Sequence, residues 1–307
     1  MISFSFIIPH KEIPELLTRC VKSVPDRGDI QLIVVDDNSL QAPDKAYFSS
    51  IKKYSPIEII YLKESKGAGH ARNIGLEKAL GKWIIFADAD DFFNPCLEHR
   101  LDYHLMSDSD LIFLNANSLD TDLYTNSVRA NHLNRYIDKY DKDKDLSIKL
   151  LKYKFGEPWS KMVNKDFVLK NKIQFEEIFV HNDTMFSLLV GHYANKVEVD
   201  KYAVYCVTTR KGSLSYQFDP DKLLIRIDVF SRVELFYKTH KIDLKKIYRH
   251  YIALNQLFFN NNTYFKKGIS ILKGNGFNTI TIYTNMLLTM PLYIVYKNKN
   301  RLKVFNI

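Results

Sequence analysis

An apolar run that ends abruptly in carboxylates, WIIFADADD over Trp83 to Asp91, constrains this chain more than any other stretch. The run reads as a buried strand, and a buried strand cannot take Asp88, Asp90 and Asp91 inside with it, so the acids must stand at its carboxyl end. In an open α/β sheet that end faces the ligand crevice. Alternating acids there can hold a hard divalent cation against a phosphate, which points to nucleotide chemistry. Taken alone, a D-x-D after a strand would more simply cap the next helix; the rest of the chain decides between the two.

The N-terminal segment repeats the design. FSFIIP (Phe4 to Pro9) is a short apolar strand stopped by proline, and IQLIVV (Ile30 to Val35) is another that ends in Asp36, Asp37, Asn38 and Ser39. Between them Leu16, Leu17, Cys20, Val21 and Val24 recur at helical spacing, with Pro14 near the helix start. Strand, helix, strand is the right-handed unit of a parallel sheet. A third apolar run, Ile57 to Leu62, leads through Gly67 to Asn73 into a helix over Ile74 to Leu80, which Gly81 is placed to end.

IIP, VVDDNS and KGAGHARNIGLEKALGKWIIFADADD, in that order and spacing, resemble the nucleotide-binding half of the family 2 glycosyltransferases. The likeness continues through PWSKMVNKDFVLKNKIQFEE, VHNDTMF and TTRKGSLS, covering residues 1 to about 217. It implies the GT-A fold, a mostly parallel Rossmann-like sheet flanked by helices. The expected organisation is a catalytic domain over 1–217 and a helical C-terminal region over 218–307.

The resemblance also assigns roles. Asp90 is the expected direct ligand of Mg²⁺ or Mn²⁺, with Asp88 acting indirectly through water or touching the ribose. Such a cation neutralises charge developing on a departing nucleoside diphosphate. Asp37 is expected to accept a hydrogen bond from the nucleobase, and Pro9 and Gly67 to line the nucleotide-sugar site. Arg72 reads either as a ligand contact or as a salt bridge to Asp37 or Asp88, roles that can coexist. Asp91 is expected to orient the turn or to cap the helix after it. Asp183 aligns with the acid that takes the acceptor's proton in an inverting transfer, with Glu176 and Glu177 as alternatives; it equally suits the start of the helix that follows. Arg210 falls where members carry a basic loop over the diphosphate, and Lys161 either faces the site or is solvated. The chain departs from the family where Lys11 stands in place of a base-stacking aromatic, and where His181 and Asn182 precede Asp183.

The expected activity is transfer of a sugar, from a UDP-sugar by preference, to a hydroxyl of a saccharide or lipid-linked acceptor with inversion, in cell-surface polysaccharide synthesis. A metal-dependent nucleotidyltransferase is the enzymatic alternative, but IIPHKE lacks its Gly-rich phosphate loop; a non-catalytic nucleotide-sugar binding module is the other. The net charge of +9 over 307 residues suits anionic ligands or a membrane surface. No nucleic-acid module is recognisable. Three dispersed cysteines without metal spacing, and a start with neither basic n-region nor h-region, lead to an expected cytoplasmic location, and the C-terminal segment leaves open a peripheral one on the inner face of the membrane. Ile280 to Tyr296 is the most apolar window, interrupted by Asn285 and Pro291 and followed by Lys297, Lys299, Arg301 and Lys303. It reads either as a helix packed on protein or as an interfacial segment on an anionic membrane.

Overall fold

The computed structural model describes residues 1–123, 125–209, 218–244 and 248–305, with side chains through 295. The chain divides into two compact units, Met1–Leu214 and Ser215–Ile307.

In the first unit β1 (Phe4–His10), β2 (Ile30–Asp36), β3 (Ile57–Tyr61) and β4 (Trp83–Phe86) alternate with α1 (Pro14–Ser23), α2 (Lys45–Ile51) and α3 (Ala68–Lys78). Their ladders are all parallel. β1 and β2 are buried almost throughout because helices cover both faces, which is why they read as continuous apolar runs. The order β3-β2-β1-β4 reverses direction between β1 and β4, the switch point at which ligands bind in open α/β sheets. The β1–β4 ladder stops at Ile7 and Phe86, while the β1–β2 ladder runs on to His10 and Asp36. Pro9 therefore sits beyond the end of β4, where its missing amide costs no ladder bond.

The sheet continues with antiparallel pairings. β5 (Phe92–Phe93), β6 (Leu111–Asp120), β7 (Thr125–Asn126), β8 (Lys161–Asn164) and β9 (Val197–Thr209) extend it in the order β4-β8-β6-β9-β5, with β7 on β6. α4 (Leu97–His104), α5 (Asn131–Ile137), α6 (Lys144–Lys154), α7 (Lys165–Lys170) and α8 (Thr184–Tyr193) complete the unit. A bulge in the β6–β9 ladder between Leu114 and Ala116 lets β9 change register, and Asp200 pins it by accepting from Arg100 Nε (2.6 Å) and Tyr202 N (2.9 Å).

Two local expectations are corrected. α3 starts at Ala68, not near Ile74, so Gly69, His70 and Arg72 lie in its first turns; Gly67, at φ +87°, is its N-cap. Nor does Gly81 end that helix, which closes at Ala79 with the Ala79 amide bonded to Leu76 O. Gly81 instead lets the following turn press onto β1, since a Cβ there would stand 2.6 Å from the Phe4 carbonyl carbon and 2.7 Å from Ser5 N. Ser5 Oγ accepts from the Gly81 amide at 2.8 Å.

The second unit is helical: α9 (Pro220–Thr239), α10 (Arg249–Asn260), α11 (Asn262–Gly274) and α12 (Thr279–Phe305). Ile227, Tyr251, Leu254, Leu257, Leu272 and Ile282 form its core. Asp219 starts α9 by accepting from the Asp221 and Lys222 amides, and Asn261 starts α11 by accepting from Tyr264 N. Among the described residues no helix is long and apolar enough to cross a membrane.

Because backbone rather than a flexible side chain opposes a Cβ at position 81, Gly81→Ala is expected to destabilise the protein by about 1–3 kcal/mol. Its thermal melt, compared with that of a Gly156→Ala control where a Cβ meets open space, measures the effect.

Candidate active site

The acids that follow β4 are separated by their partners. Asp91 turns inward, where it accepts from Tyr205 Oη (2.7 Å) and Thr208 N (2.7 Å), both on β9. Tyr205 Oη in turn accepts from the Asp88 amide at 3.0 Å, and Thr208 Oγ1 donates to the Asp90 carbonyl at 2.7 Å. Burial, with Asp88 and Asp90 close by, pushes the Asp91 carboxyl well above the ordinary range. Asp91 thus orients the turn and leaves Asp88 and Asp90 partly exposed at the strand end.

Arg72 is buried and forms its ion pair with Asp88, not Asp37: Nη2 donates to Asp88 Oδ1 at 2.7 Å and Nη1 to Asn182 Oδ1 at 2.8 Å. Its guanidinium lies over the Phe175 ring. The neighbouring Asn73 makes two bonds with the Phe175 backbone, each 2.9 Å, and Gly69 leaves room for Glu176 O, which a Cβ would meet at 2.1 Å. The close approach at Gly69 is therefore made by the chain's own 175–182 segment, fixed onto α3. Phe175 stacks on Phe186 of α8 at 3.8 Å, and both meet Phe86 of β4 edge-on. Such pairs contribute about 0.5–1.5 kcal/mol each beyond their buried area, and here they hold α8 against the β4 tip.

Asp183 occupies the N-cap position of α8, yet its side chain makes no capping bond. The carboxyl is only partly exposed. Burial pushes its pKa up to about 6; Arg72 works in the opposite direction, while Glu157 and Asp88 add to the rise. Of the alternatives, Glu177 is spent on His70, whose Nδ1 lies 2.8 Å from Oε1, and Glu176 donates its amide to Asn182 O.

Lys161 is not solvated. It is buried under the site, and its Nζ donates to Phe155 O (3.0 Å), Ser187 Oγ (3.1 Å) and Glu157 O. Ser187 Oγ itself donates to Glu157 O, so all three neighbours accept from Nζ and match the three protons of an ammonium. Burial pulls this ammonium down to about 7, against the attraction of Glu157 and Asp183. Lys161 thereby ties the loop carrying Glu157 to the helix that Asp183 begins.

The residues expected at the nucleotide lie at the ends of β1 and β2. Asp37 accepts from Ser65 Oγ (2.7 Å), Lys66 N (2.8 Å) and Gly67 N (3.1 Å), shaping the loop before α3. Lys11 folds onto the Asp37 carbonyl at 2.8 Å. His10 Nδ1 lies 2.6 Å from Asp36 Oδ1 while its Nε2 accepts from Ile13 N, which fixes Nδ1 as the protonated nitrogen. Pro9 is half-buried beside them. Arg210 lies outside the described residues.

The residues fit a cation that arrives with its ligands. Among the described residues no group of three or more His, Cys, Asp or Glu is arranged to hold a metal, and Asp91 is turned away. Asp88 and Asp90 remain as oxygen donors at the strand end, so the other positions would fall to diphosphate and water. The pairing of Asn182 with Arg72, and the roles of Asn73, Tyr205 and Glu157, were not read from the sequence. A buried Asn beside the A-R-N arginine carried the one available signal.

The glycosyl transferase family 2 model matches residues 5–168, more than half of the chain. The chain belongs to that family. It is similar to a teichoic acid poly(glycerol phosphate) polymerase of Staphylococcus epidermidis, 24% identical over 85% of this chain and 41% of the polymerase. It is also similar to an uncharacterized glycosyltransferase of Haemophilus influenzae, 33% identical over 36% of this chain and 44% of that protein. The chain thus spans less than half the length of these relatives. Among solved structures, TarS 1-349 of Staphylococcus aureus in complex with UDP-GlcNAc matches 95% of this chain and 81% of its own at 18% identity, TM-score 0.58. A mannosyltransferase from Pyrobaculum calidifontis in complex with GDP-Man and Mn²⁺ matches 97% and 84% at 13% identity, TM-score 0.52. These likenesses establish the GT-A glycosyltransferase fold.

Because its folded pKa is raised, Asp183 makes the native state bind more protons than the unfolded chain between about pH 4 and 6, so its ionisation opposes folding above that window. Asp183→Asn mimics the protonated form. It is expected to stabilise the protein at pH 8 by about 3 kcal/mol, an advantage that fades as pH falls through 6 toward 4. Thermal melts of both proteins from pH 4.5 to 8 measure it; an equal or lower melting point for the variant at pH 8 would contradict the electrostatic reading.

Proposed function

We propose that this chain is an inverting glycosyltransferase that moves a sugar from a nucleoside diphosphate donor, UDP-linked by preference, to a hydroxyl of a saccharide or lipid-linked acceptor in cell-surface polysaccharide synthesis. The observation that carries this reading is the state of Asp183. It is a carboxyl with a pKa of about 6, spends nothing on capping its helix, and follows Asn182, which shares Arg72 with Asp88. A group tuned to that value is ionised at neutral pH yet basic enough to take a proton as a hydroxyl attacks. The fold's likeness to proteins solved with UDP-GlcNAc and GDP-Man supports the donor class.

In this mechanism the donor's diphosphate lies at the ends of β1 and β4. Pro9 and the Asp37-shaped loop at Gly67 bound the nucleotide, with a nucleobase N–H sharing the Asp37 carboxylate. Asp90, helped by Asp88, would hold Mg²⁺ or Mn²⁺, which would supply Lewis acidity to the leaving diphosphate. Arg72 holds Asp88 in place for this and shields it from the Asp183 charge. Asp183 receives the acceptor proton as the hydroxyl oxygen bonds to the anomeric carbon and the bond to the diphosphate oxygen breaks, which inverts the configuration. A lipid-linked acceptor would place the work at the inner face of the membrane.

Asp183→Asn is expected to slow transfer by about a hundredfold or more, with donor affinity by calorimetry nearly unchanged and the product of the native enzyme inverted at the anomeric carbon. In the native enzyme kcat/KM should fall as pH drops below about 6, following protonation of Asp183. A retained configuration, or native transfer by the variant, would move the base to Glu176 or Glu177. Asp90→Asn should abolish metal-dependent turnover while leaving the circular dichroism unchanged; native turnover undiminished by EDTA would remove the metal assignment.

A further inference from the structure

α12 is built with its polarity reversed. Its inward face carries Asn285 and Thr289 alongside Ile282, Met286 and Tyr293, all buried. The inward polar groups are served within the unit: Asn255 Nδ2 donates to Met286 O and Thr289 Oγ1 at 3.0 Å each, and Thr289 Oγ1 donates to Asn285 O at 2.8 Å. The outward face carries Ile280, Tyr283, Leu287, Leu288, Ile294 and Val295, all exposed. At 100° per residue these positions group opposite the buried set and form one continuous stripe. Phe259 of α10, itself half-exposed, stacks on Tyr293 at 5.4 Å, and Phe258 beside it is also exposed, so the apolar surface extends past α12. A helix that hides its amide and hydroxyl groups and shows its leucines is shaped for a covering that is itself apolar.

The sequence distinguishes among coverings. From Thr279 to Phe305 there is no acidic residue, and Lys297, Lys299, Arg301 and Lys303 follow the stripe directly. A second copy of the same helix offers these cations no acid in either orientation and gathers them if it packs parallel, whereas an anionic lipid surface complements them. From Ile280 to Val295 the stripe measures about 24 Å along the helix, short of the roughly 30 Å hydrocarbon core. That length, the charged flank and Asn285 on the opposite face suit a helix lying in the interface plane.

We infer that the outward face of α12, with its basic continuation, docks this chain on an anionic membrane surface. This deepens the proposed function, placing the enzyme where a lipid-linked acceptor would be met, and it can fail without that reading failing.

Co-sedimentation of the full chain with phosphatidylglycerol vesicles, and with pure phosphatidylcholine vesicles, tests it. Binding to the anionic vesicles is expected to exceed that to phosphatidylcholine at least tenfold. High salt should weaken it without abolishing it, since apolar contact is not screened. Leu287→Glu combined with Ile294→Glu should reduce binding at least tenfold and leave the melting temperature and donor hydrolysis unchanged, because both side chains are exposed and remote in sequence from the site. Lys297→Gln combined with Lys299→Gln should lower the preference for anionic lipid. Absence of binding, or equal binding by the double glutamate variant, would overturn the proposal. So would a native dimer that this variant converts to monomer, because the stripe would then belong to a second copy. Donor hydrolysis, measured in the same samples without vesicles, reports separately on the proposed activity.

Discussion

One buried guanidinium joins the two halves of this site. Arg72 comes from α3, packed beside β1 and β2, and its two terminal nitrogens reach Asp88 on the β4 tip and Asn182 next to Asp183. A planar fork with two fixed donor directions sets the spacing between its partners, which the single flexible point charge of a lysine would not. The cost of burying that charge is offset by an ionised partner on one side, a neutral acceptor on the other and the Phe175 ring beneath. Most of the nearby contacts serve this fork. Asn73 fixes Phe175, Gly69 admits Glu176, and the ring stack of Phe175 on Phe186 carries the constraint into α8.

Backbone strain gathers around the same place. Among the described residues six other than glycine have positive φ, and four of them, Glu12, Asn38, Ser160 and His181, lie just beyond β1 and β2, just before β8 and just before α8. Each such residue costs about 1–3 kcal/mol and persists only where its surroundings over-determine it. At the first two, Glu12 N donates to Ser39 Oγ and Leu40 N donates to Glu12 Oε1, so the tips of β1 and β2 hold each other. Ser160 stands between Trp159, stacked on Tyr205, and the buried Lys161. The strained positions are thus those that aim the site's loops.

What the sequence made legible was periodicity and termination. Buried strands ending in acids located β1, β2 and β4 and the edge where the crevice lies, because a charge at the end of an apolar run has one place to go. The start of α3 is not legible because its first turns, with Gly67, Gly69 and polar Arg72 and Asn73, look like a loop; an amphipathic pattern is absent when the polar side chains are the ones turned inward. Lys161 was open to a solvated reading for the same reason. Three accepting oxygens that bury an ammonium come from Phe155, Glu157 and Ser187, and nothing in their spacing announces that they converge. The inward polarity of Asn285 and Thr289 escapes a hydropathy window too, since a window averages over both faces of a helix.

The state of Asp183 follows from a balance that no single neighbour sets. Burial raises its pKa, the Glu157 and Asp88 charges raise it further, and Arg72 lowers it. Asp88 is itself held by that arginine, so Arg72 affects Asp183 both directly and by neutralising one of the charges that oppose its ionisation. Glu157 is held in turn by the loop that Lys161 anchors, with His132 Nε2 at 3.2 Å from its carboxylate. A diphosphate arriving with its cation would change the charge beside Asp88 and so change the basicity of Asp183. In the proposed mechanism, charge arriving beside Asp88 would thus be felt at Asp183 as well, with the Arg72 guanidinium between the two carboxyls.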